Sequence, residues 1–313
     1  MSLILALGRE PRLGTMVKEI AFDCLYGQPT GAFTAPADLF ATATRLCHEA
    51  SAISFPPEYE EACFDVLYHS YRWTRKRHTT LDLGYPSAYA WPLLSLAQSH
   101  VQHLAFGSHK RFNWTHHSVY PIPQFPDLRL SSLRFKSWSQ DHSAQDVYVN
   151  LTASSSNTLE ELHIFYEGFT DSFSHFTNLT RLNLHIQSST SIPSFTASIG
   201  TATILVALAL SGTLDDARRS VLYGSGPQGL AAHLPPSLQY LGLPIGVQPA
   251  QLVLFLSLLA TPSLRSISHV NPPRQRSSYD LQTRQLLDYS EAYVAGLAKG
   301  IEIWKGTEVK NTA

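Results

Sequence analysis

Residues 178–186 read Asn-Leu-Thr-Arg-Leu-Asn-Leu-His-Ile, and the order of apolar and polar residues in this stretch decides the fold. Leu179, Leu182 and Leu184 follow the pattern apolar-x-x-apolar-x-apolar. The last two of these residues alternate with polar ones, as in a strand that is buried on one face. The same hexad recurs along the chain. Its complete copies begin at Val17, Val101, Leu130, Leu159, Leu179, Leu205 and Leu238.

Weaker copies of the hexad fill the gaps between the complete ones. Leu264–Ile267 gives a partial copy, Leu81–Leu83 and Ile301–Ile303 keep its second half, and a looser copy is centred on Leu46. The middle apolar residues of successive copies are then 20 to 35 residues apart. A period of this length is typical of leucine-rich repeats, in which each unit is a short strand plus a return segment.

Each unit is a strand plus a return segment, so the repeat predicts an α/β fold. The units must stack on one another, because one unit cannot bury its apolar face without its neighbours. We expect a leucine-rich-repeat-like curved solenoid, with a parallel β-sheet on the concave face and with helices and irregular segments on the convex face. Residues 1–304 would form this irregular solenoid of about ten repeats, with helices at 2–9 and 280–299 as caps. Residues 305–313 are polar and are expected to form a flexible tail.

The composition argues against several classes of partner. The net charge of −1 gives no overall field that would attract nucleic acid or an anionic membrane surface. The apolar run at 249–260 is too short to cross a bilayer and is expected to be a buried return helix. The three cysteines are an odd number without a CxxC pair, which is typical of thiols in a reducing compartment. We therefore expect an intracellular protein, in the cytoplasm or the nucleus.

The polar positions of the central strands are the candidate binding site. Alternation along each strand places them on the face opposite the core, where stacked strands align them in ladders. The predicted protein-binding residues on the concave face are Arg134, Lys136, Glu161, His163, Phe165, Arg181, Asn183 and His185. Arginine and aromatic residues are those that anchor interfaces. Two other interpretations stay open. The polar residues could form no contact surface, since exposed strand positions are polar in any solenoid. A neighbouring loop could cover Phe165.

The motifs of catalysis and cofactor binding are incomplete. Gly224–Gly229 matches GxGxxG, but a dinucleotide site needs a strand before the motif, and the sequence predicts a helix at 215–222. The sequence contains no HExxH, no Cys/His quartet and no GxSxG. We therefore predict no enzyme activity, no cofactor and no metal site. The alternative is an enzyme whose site lies in the long connectors, 107–128 or 211–235.

The chain resembles, in style, the leucine-rich-repeat portion of the fungal family of F-box/LRR-like proteins. The resemblance rests on PRLGTMVKEIAF (Pro11–Phe22), on the repeat at 158–165, on PPSLQYLGLP (Pro235–Pro244) and on YVAGLAKGIEI (Tyr293–Ile303). In that family an F-box binds the adaptor of a cullin-type ubiquitin ligase, and the repeats hold the substrate. The resemblance thus implies a protein-binding scaffold, a substrate-recognition arm whose partner is a protein to be ubiquitinated.

The start of the repeats bears on the adaptor. Because the first hexad begins at Val17, no room is left before it for an F-box of some 40 residues. Three alternatives follow: a family member that lost the module, a truncated gene product, or a free-standing repeat scaffold. Any contact of this chain with the cullin-ligase adaptor would then have to form without an F-box.

Overall fold

The computed structural model describes most of the chain. The described residues are 2–21, 36–54, 64, 67–68, 71, 78–83, 90–106, 126–135, 142–166, 172–186, 190–212, 214–244, 246–269 and 289–305. The chain divides into two compact units, Met1–Leu159 and Glu160–Ala313. In each unit parallel strands follow one another in chain order with helices between them, so the predicted α/β class is confirmed.

In its described residues the first unit has five parallel strands, which pair in chain order. They are β1 (Glu19–Ala21), β2 (Ala52–Ser54), β3 (Thr80–Leu83), β4 (His103–Phe106) and β5 (Ser132–Phe135). Its helices are α1 (Ser2–Arg9), α2 (Pro11–Met16), α3 (Pro36–Leu46), α4 (Ala90–Ala97) and α5 (His142–Ser155). Helix α1 has the predicted bounds.

The described part of the second unit has six parallel strands in chain order. They are β6 (Glu161–Tyr166), β7 (Arg181–Ile186), β8 (Ala207–Gly212), β9 (Tyr240–Gly242), β10 (Ser266–His269) and β11 (Glu302–Lys305). Its helices are α6 (Ile192–Gly200), α7 (Asp216–Leu222), α8 (Leu230–His233), α9 (Pro249–Leu258) and α10 (Ser290–Ala298). Helix α10 lies within the predicted 280–299 helix, whose residues 280–288 are outside the described part of the chain.

Several helix starts are marked by proline or by a capping side chain. Pro11 and Pro249 are the first residues of α2 and α9, where the missing N–H of proline costs no helical hydrogen bond. At α7 the Asp215 carboxylate accepts a hydrogen bond from the Arg218 N–H at 2.8 Å. Among the described helices none is long and apolar enough to cross a lipid bilayer.

The middle residues of the hexads form the core of the second unit. They pair in register from strand to strand, and each is at most 1% exposed. These residues are Leu162, Leu182, Leu208, Leu241 and Ile267. Because alternation puts every second side chain on one face, the hexad predicts the buried positions of these strands correctly.

The repeats also share a hydrogen-bond pattern where each strand begins. The N–H groups of Thr180 and Arg181 both donate to the Glu160 carbonyl at 3.0 Å, and the pattern recurs in the following repeats. The carbonyl oxygens that accept two successive N–H groups in the second unit are those of Glu160, Thr180, Val206 and Gln239. Side chains add to this linkage, since Ser263 Oγ donates to the Leu238 carbonyl at 2.9 Å.

The predicted copy of the hexad at Leu46 is wrong. Leu46 is the last residue of α3, and the strand of this repeat is β2, in which Ile53 pairs with Ile20 and with Leu81. The apolar residues before Leu46 serve a helix rather than a strand. The true hexad begins at Ala50, whose small side chain is buried but gives a weak apolar signal.

The register predicted for the last repeat is also wrong. Ile303, and not Ile301, pairs with Ile267. Ile301 instead closes the C-terminus of α10, where its N–H donates to the Gly296 carbonyl at 2.8 Å. Gly300 adopts φ +71 at this turn. A left-handed glycine followed by a buried apolar residue is typical of a helix C-cap, which explains why Ile301 is buried outside the strand.

Candidate functional site

The candidate site is the face of the β-strands of the second unit that lies opposite the buried leucines, which we call the exposed face. On β6, β7 and β8 its side chains are half-buried or exposed. They are Glu161, His163, Arg181, Asn183, His185, Ala207, Ala209 and Ser211. These positions alternate with Leu162, Leu182 and Leu208, so the same pattern that buries the core creates this face.

Strand pairing arranges the predicted residues of the second unit in rows. Glu161 pairs with Arg181, which places opposite charges side by side, and His163 pairs with Asn183. His185 lies one row further, with its Nδ1 3.1 Å from Ser211 Oγ. Five of the eight predicted residues are therefore neighbours on two adjacent strands.

The other three predicted residues are not part of this arrangement as described. Arg134 is exposed in β5 of the first unit, where it pairs with Ala105. Lys136 lies outside the described residues. Phe165 has its backbone in β6, paired with His185, and its side chain is outside the described part.

The predicted binding residues do not include the aromatic end of the exposed face. Tyr240 in β9 and Trp304 in β11 are both half-buried on this side of the sheet. The indole Nε1 of Trp304 donates to Ser266 Oγ at 2.7 Å. Alternation centred on either Ile301 or Ile303 places Trp304 on the exposed face, because a shift of two residues keeps each side chain on its side of the sheet.

Small residues lie between the polar and the aromatic ends of the face. Ala207 and Ala209 pair with Tyr240 and Gly242. A Cβ atom at Gly242 would lie 3.3 Å from both Ala209 Cα and Ser268 Oγ. Small side chains therefore leave the sheet backbone close to the surface at β8 to β10, and larger side chains surround this area.

The glycine-rich connector is a packed turn. Gly224–Gly229 follows helix α7 rather than a strand, and the Gly229 N–H donates to the Gly226 carbonyl at 2.9 Å. A Cβ atom at Gly229 would overlap the Gly224 carbonyl, so the glycine is needed for close backbone packing. Within the described ranges, His, Cys, Asp and Glu side chains do not form groups of three or more that could hold a metal ion. Residues 107–125 of the other connector are outside these ranges.

Comparison with known proteins does not extend these observations. No protein-family model and no curated protein matches the chain. The relation to F-box/LRR-like proteins therefore stays a prediction from the sequence.

Proposed function

We propose that the chain is a non-catalytic, protein-binding repeat scaffold whose partner docks on the exposed face of the second unit. The observation that supports this function is the alignment of polar side chains on β6 and β7 beside half-exposed aromatic residues on β9 and β11. Stacked repeats create extended surfaces of this kind, and repeat proteins use them to bind partners.

The residue types on the exposed face suit a protein interface. Arg181, Tyr240 and Trp304 belong to the three residue types most enriched among the hot spots of interfaces. His163, Asn183 and neighbouring polar groups would supply hydrogen bonds at the rim, and the small residues would let a partner approach the sheet closely. The expected partner therefore contributes apolar side chains for the aromatic end and carboxylate or carbonyl oxygens for Arg181.

The sequence resemblance supports one form of this proposal. In it the scaffold is an intracellular substrate-recognition arm related to F-box ubiquitin-ligase receptors, and the docked partner is a protein to be ubiquitinated. Recovery of a cullin and its adaptor together with the chain would support this form. Recovery of other partners alone would indicate an independent binding scaffold.

The experiment is affinity purification from the native cell with mass spectrometry, followed by a binding titration with each partner. The test variant carries His163→Ala, Arg181→Ala and His185→Ala. We expect it to lose about 2 kcal/mol or more of binding free energy, because truncation of interface anchors has this effect.

The matched control removes the same types of side chain away from the exposed face. It carries Arg45→Ala, His48→Ala and His100→Ala, which lie in α3 and in turns of the first unit. This control is expected to keep every partner. If the test variant also kept every partner with unchanged affinity, the exposed face would not be the binding site.

A further inference from the structure

His269 is a buried histidine that joins the last repeat to the rest of the second unit. It is the last residue of β10 and is 0% exposed. Its ring stacks on that of Tyr289, with the centroids 4.3 Å apart and an angle of 27° between the planes. The hydroxyl of Tyr293 lies 3.4 Å from His269 Nε2. Tyr289 is the N-cap residue of α10 and Tyr293 lies in the first turn of this helix, so the imidazole is a contact between β10 and the start of α10.

The second nitrogen of the ring is Nδ1. Nδ1 of His269 has no hydrogen-bond partner among the described residues. In the neutral ring one nitrogen can remain a bare acceptor, whereas protonation adds a positive charge and a second N–H donor. A buried charge with an unpaired donor is much less favourable than the neutral ring.

Among the described residues, the groups that face His269 do not compensate a positive charge. Tyr289 and Tyr293 face it from α10, and Lys305 is its paired residue on β11. The Val247 carbonyl, before α9, accepts the hydrogen bond of the Tyr289 hydroxyl at 2.7 Å. None of these groups is a carboxylate. Burial first, and then the positive charge of Lys305, lower the pKa of His269 from its ordinary value.

We propose that His269 is a pH-sensitive latch, which holds α10 and β11 against β10 when it is neutral and releases them when it is protonated. A histidine whose pKa is lower in the folded state stabilises that state above the ordinary histidine pKa of 6.5. This contribution is lost as the pH falls through the lowered pKa. The latch does not depend on the proposed binding function. If both hold, release of β11 would also remove Trp304 from the exposed face.

The test is hydrogen–deuterium exchange of the full chain at about pH 7.5 and about pH 5.5, analysed by mass spectrometry. After correction for the intrinsic effect of pH on exchange, peptides from α10 and β11 should exchange several-fold faster at the lower pH. Peptides from β7 should not change. His269→Phe keeps an aromatic ring without a titrating nitrogen, and we expect it to retain protection at both pH values.

Two further variants keep the test decisive if His269→Phe fails to fold. Lys305 is exposed, and Lys305→Gln removes the positive charge beside the latch, so its acid-induced exchange should be smaller than that of the wild type. His233→Gln removes a histidine elsewhere in the same unit and should respond to pH like the wild type. Equal protection of α10 and β11 at both pH values in the wild type would overturn the proposal. So would an undiminished acid response in Lys305→Gln.

Discussion

At the scale of single residues, two buried tyrosines of the first unit differ in one hydrogen bond. The Tyr71 hydroxyl lies 2.7 Å from His78 Nδ1. The Tyr148 hydroxyl has no hydrogen-bond partner among the described residues. The ring of Tyr148 packs against that of Phe135, with the centroids 5.9 Å apart. Burial raises the pKa of Tyr148 far above its ordinary value, because an ionised phenol would be desolvated there.

This difference predicts opposite results for the same substitution. Tyr148→Phe should leave the free energy of unfolding unchanged or increase it, because it removes an unsatisfied hydroxyl and keeps the ring. Tyr71→Phe should lower it by about 1–3 kcal/mol, because it takes a partner from the buried His78. Urea unfolding of both variants measures the two effects. An equal loss in Tyr148→Phe would mean that this hydroxyl is hydrogen-bonded in solution.

At the scale of elements, the end of β8 depends on a glycine. Gly212 has φ +105, and a Cβ atom there would overlap the Ile186 carbonyl of the neighbouring strand β7. Gly226, in the turn after α7, has no atom within 4 Å of the Cβ position. The two glycines therefore differ both in backbone conformation and in available space.

Gly212→Ala should lower the free energy of unfolding by at least about 1–2 kcal/mol, because a residue with a Cβ atom is strained in a left-handed conformation. The steric overlap with Ile186 adds to this loss. Gly226→Ala is the matched control, and it should be neutral or should stabilise by up to about 1 kcal/mol by restricting the unfolded chain. Thermal or urea unfolding distinguishes them. A neutral Gly212→Ala would show that the last residue of β8 tolerates a Cβ atom and has a different backbone conformation in solution.

At the scale of the whole molecule, each unit is a row of repeats in which a strand pairs only with its neighbours in the chain. Stability in such a protein is a sum of repeat and nearest-neighbour terms. A defect in one repeat should therefore weaken the adjacent repeats first. Leu182 is suited to test this, because it is 1% exposed in β7, which pairs with β6 and β8.

Leu182→Ala should cost about 2–5 kcal/mol in the free energy of unfolding, because it leaves a cavity in the core. Hydrogen exchange should increase most in β6, β7 and β8, and less in β10 and β11. Asn183→Ala changes the next residue on the exposed face and should stay within about 0.5 kcal/mol of the wild type. A uniform increase of exchange along the second unit would contradict the nearest-neighbour rule for this chain.

The local pattern of the sequence predicts most of the strands, their buried positions and the α/β class of the fold. Leu162, Leu182 and Leu208 are buried as the hexad predicts, because alternation along a strand is a local property that strand pairing preserves. The pattern failed at Leu46 and Ile301, where apolar residues serve a helix and its C-cap. A hydrophobic residue predicts burial, but it does not predict whether the residue lies in a strand, in a helix or at a helix C-cap.

The tertiary structure adds contacts that the local pattern does not contain. The hexad already predicts the register that pairs Glu161 with Arg181, because it aligns the polar positions of successive strands. The turn after α10 moves the last strand by two residues, which leaves Trp304 on the exposed face and pairs it with Ser268. The unsatisfied nitrogen of His269 depends on packing between β10 and α10. Such contacts join residues far apart in the chain, so no local pattern records them.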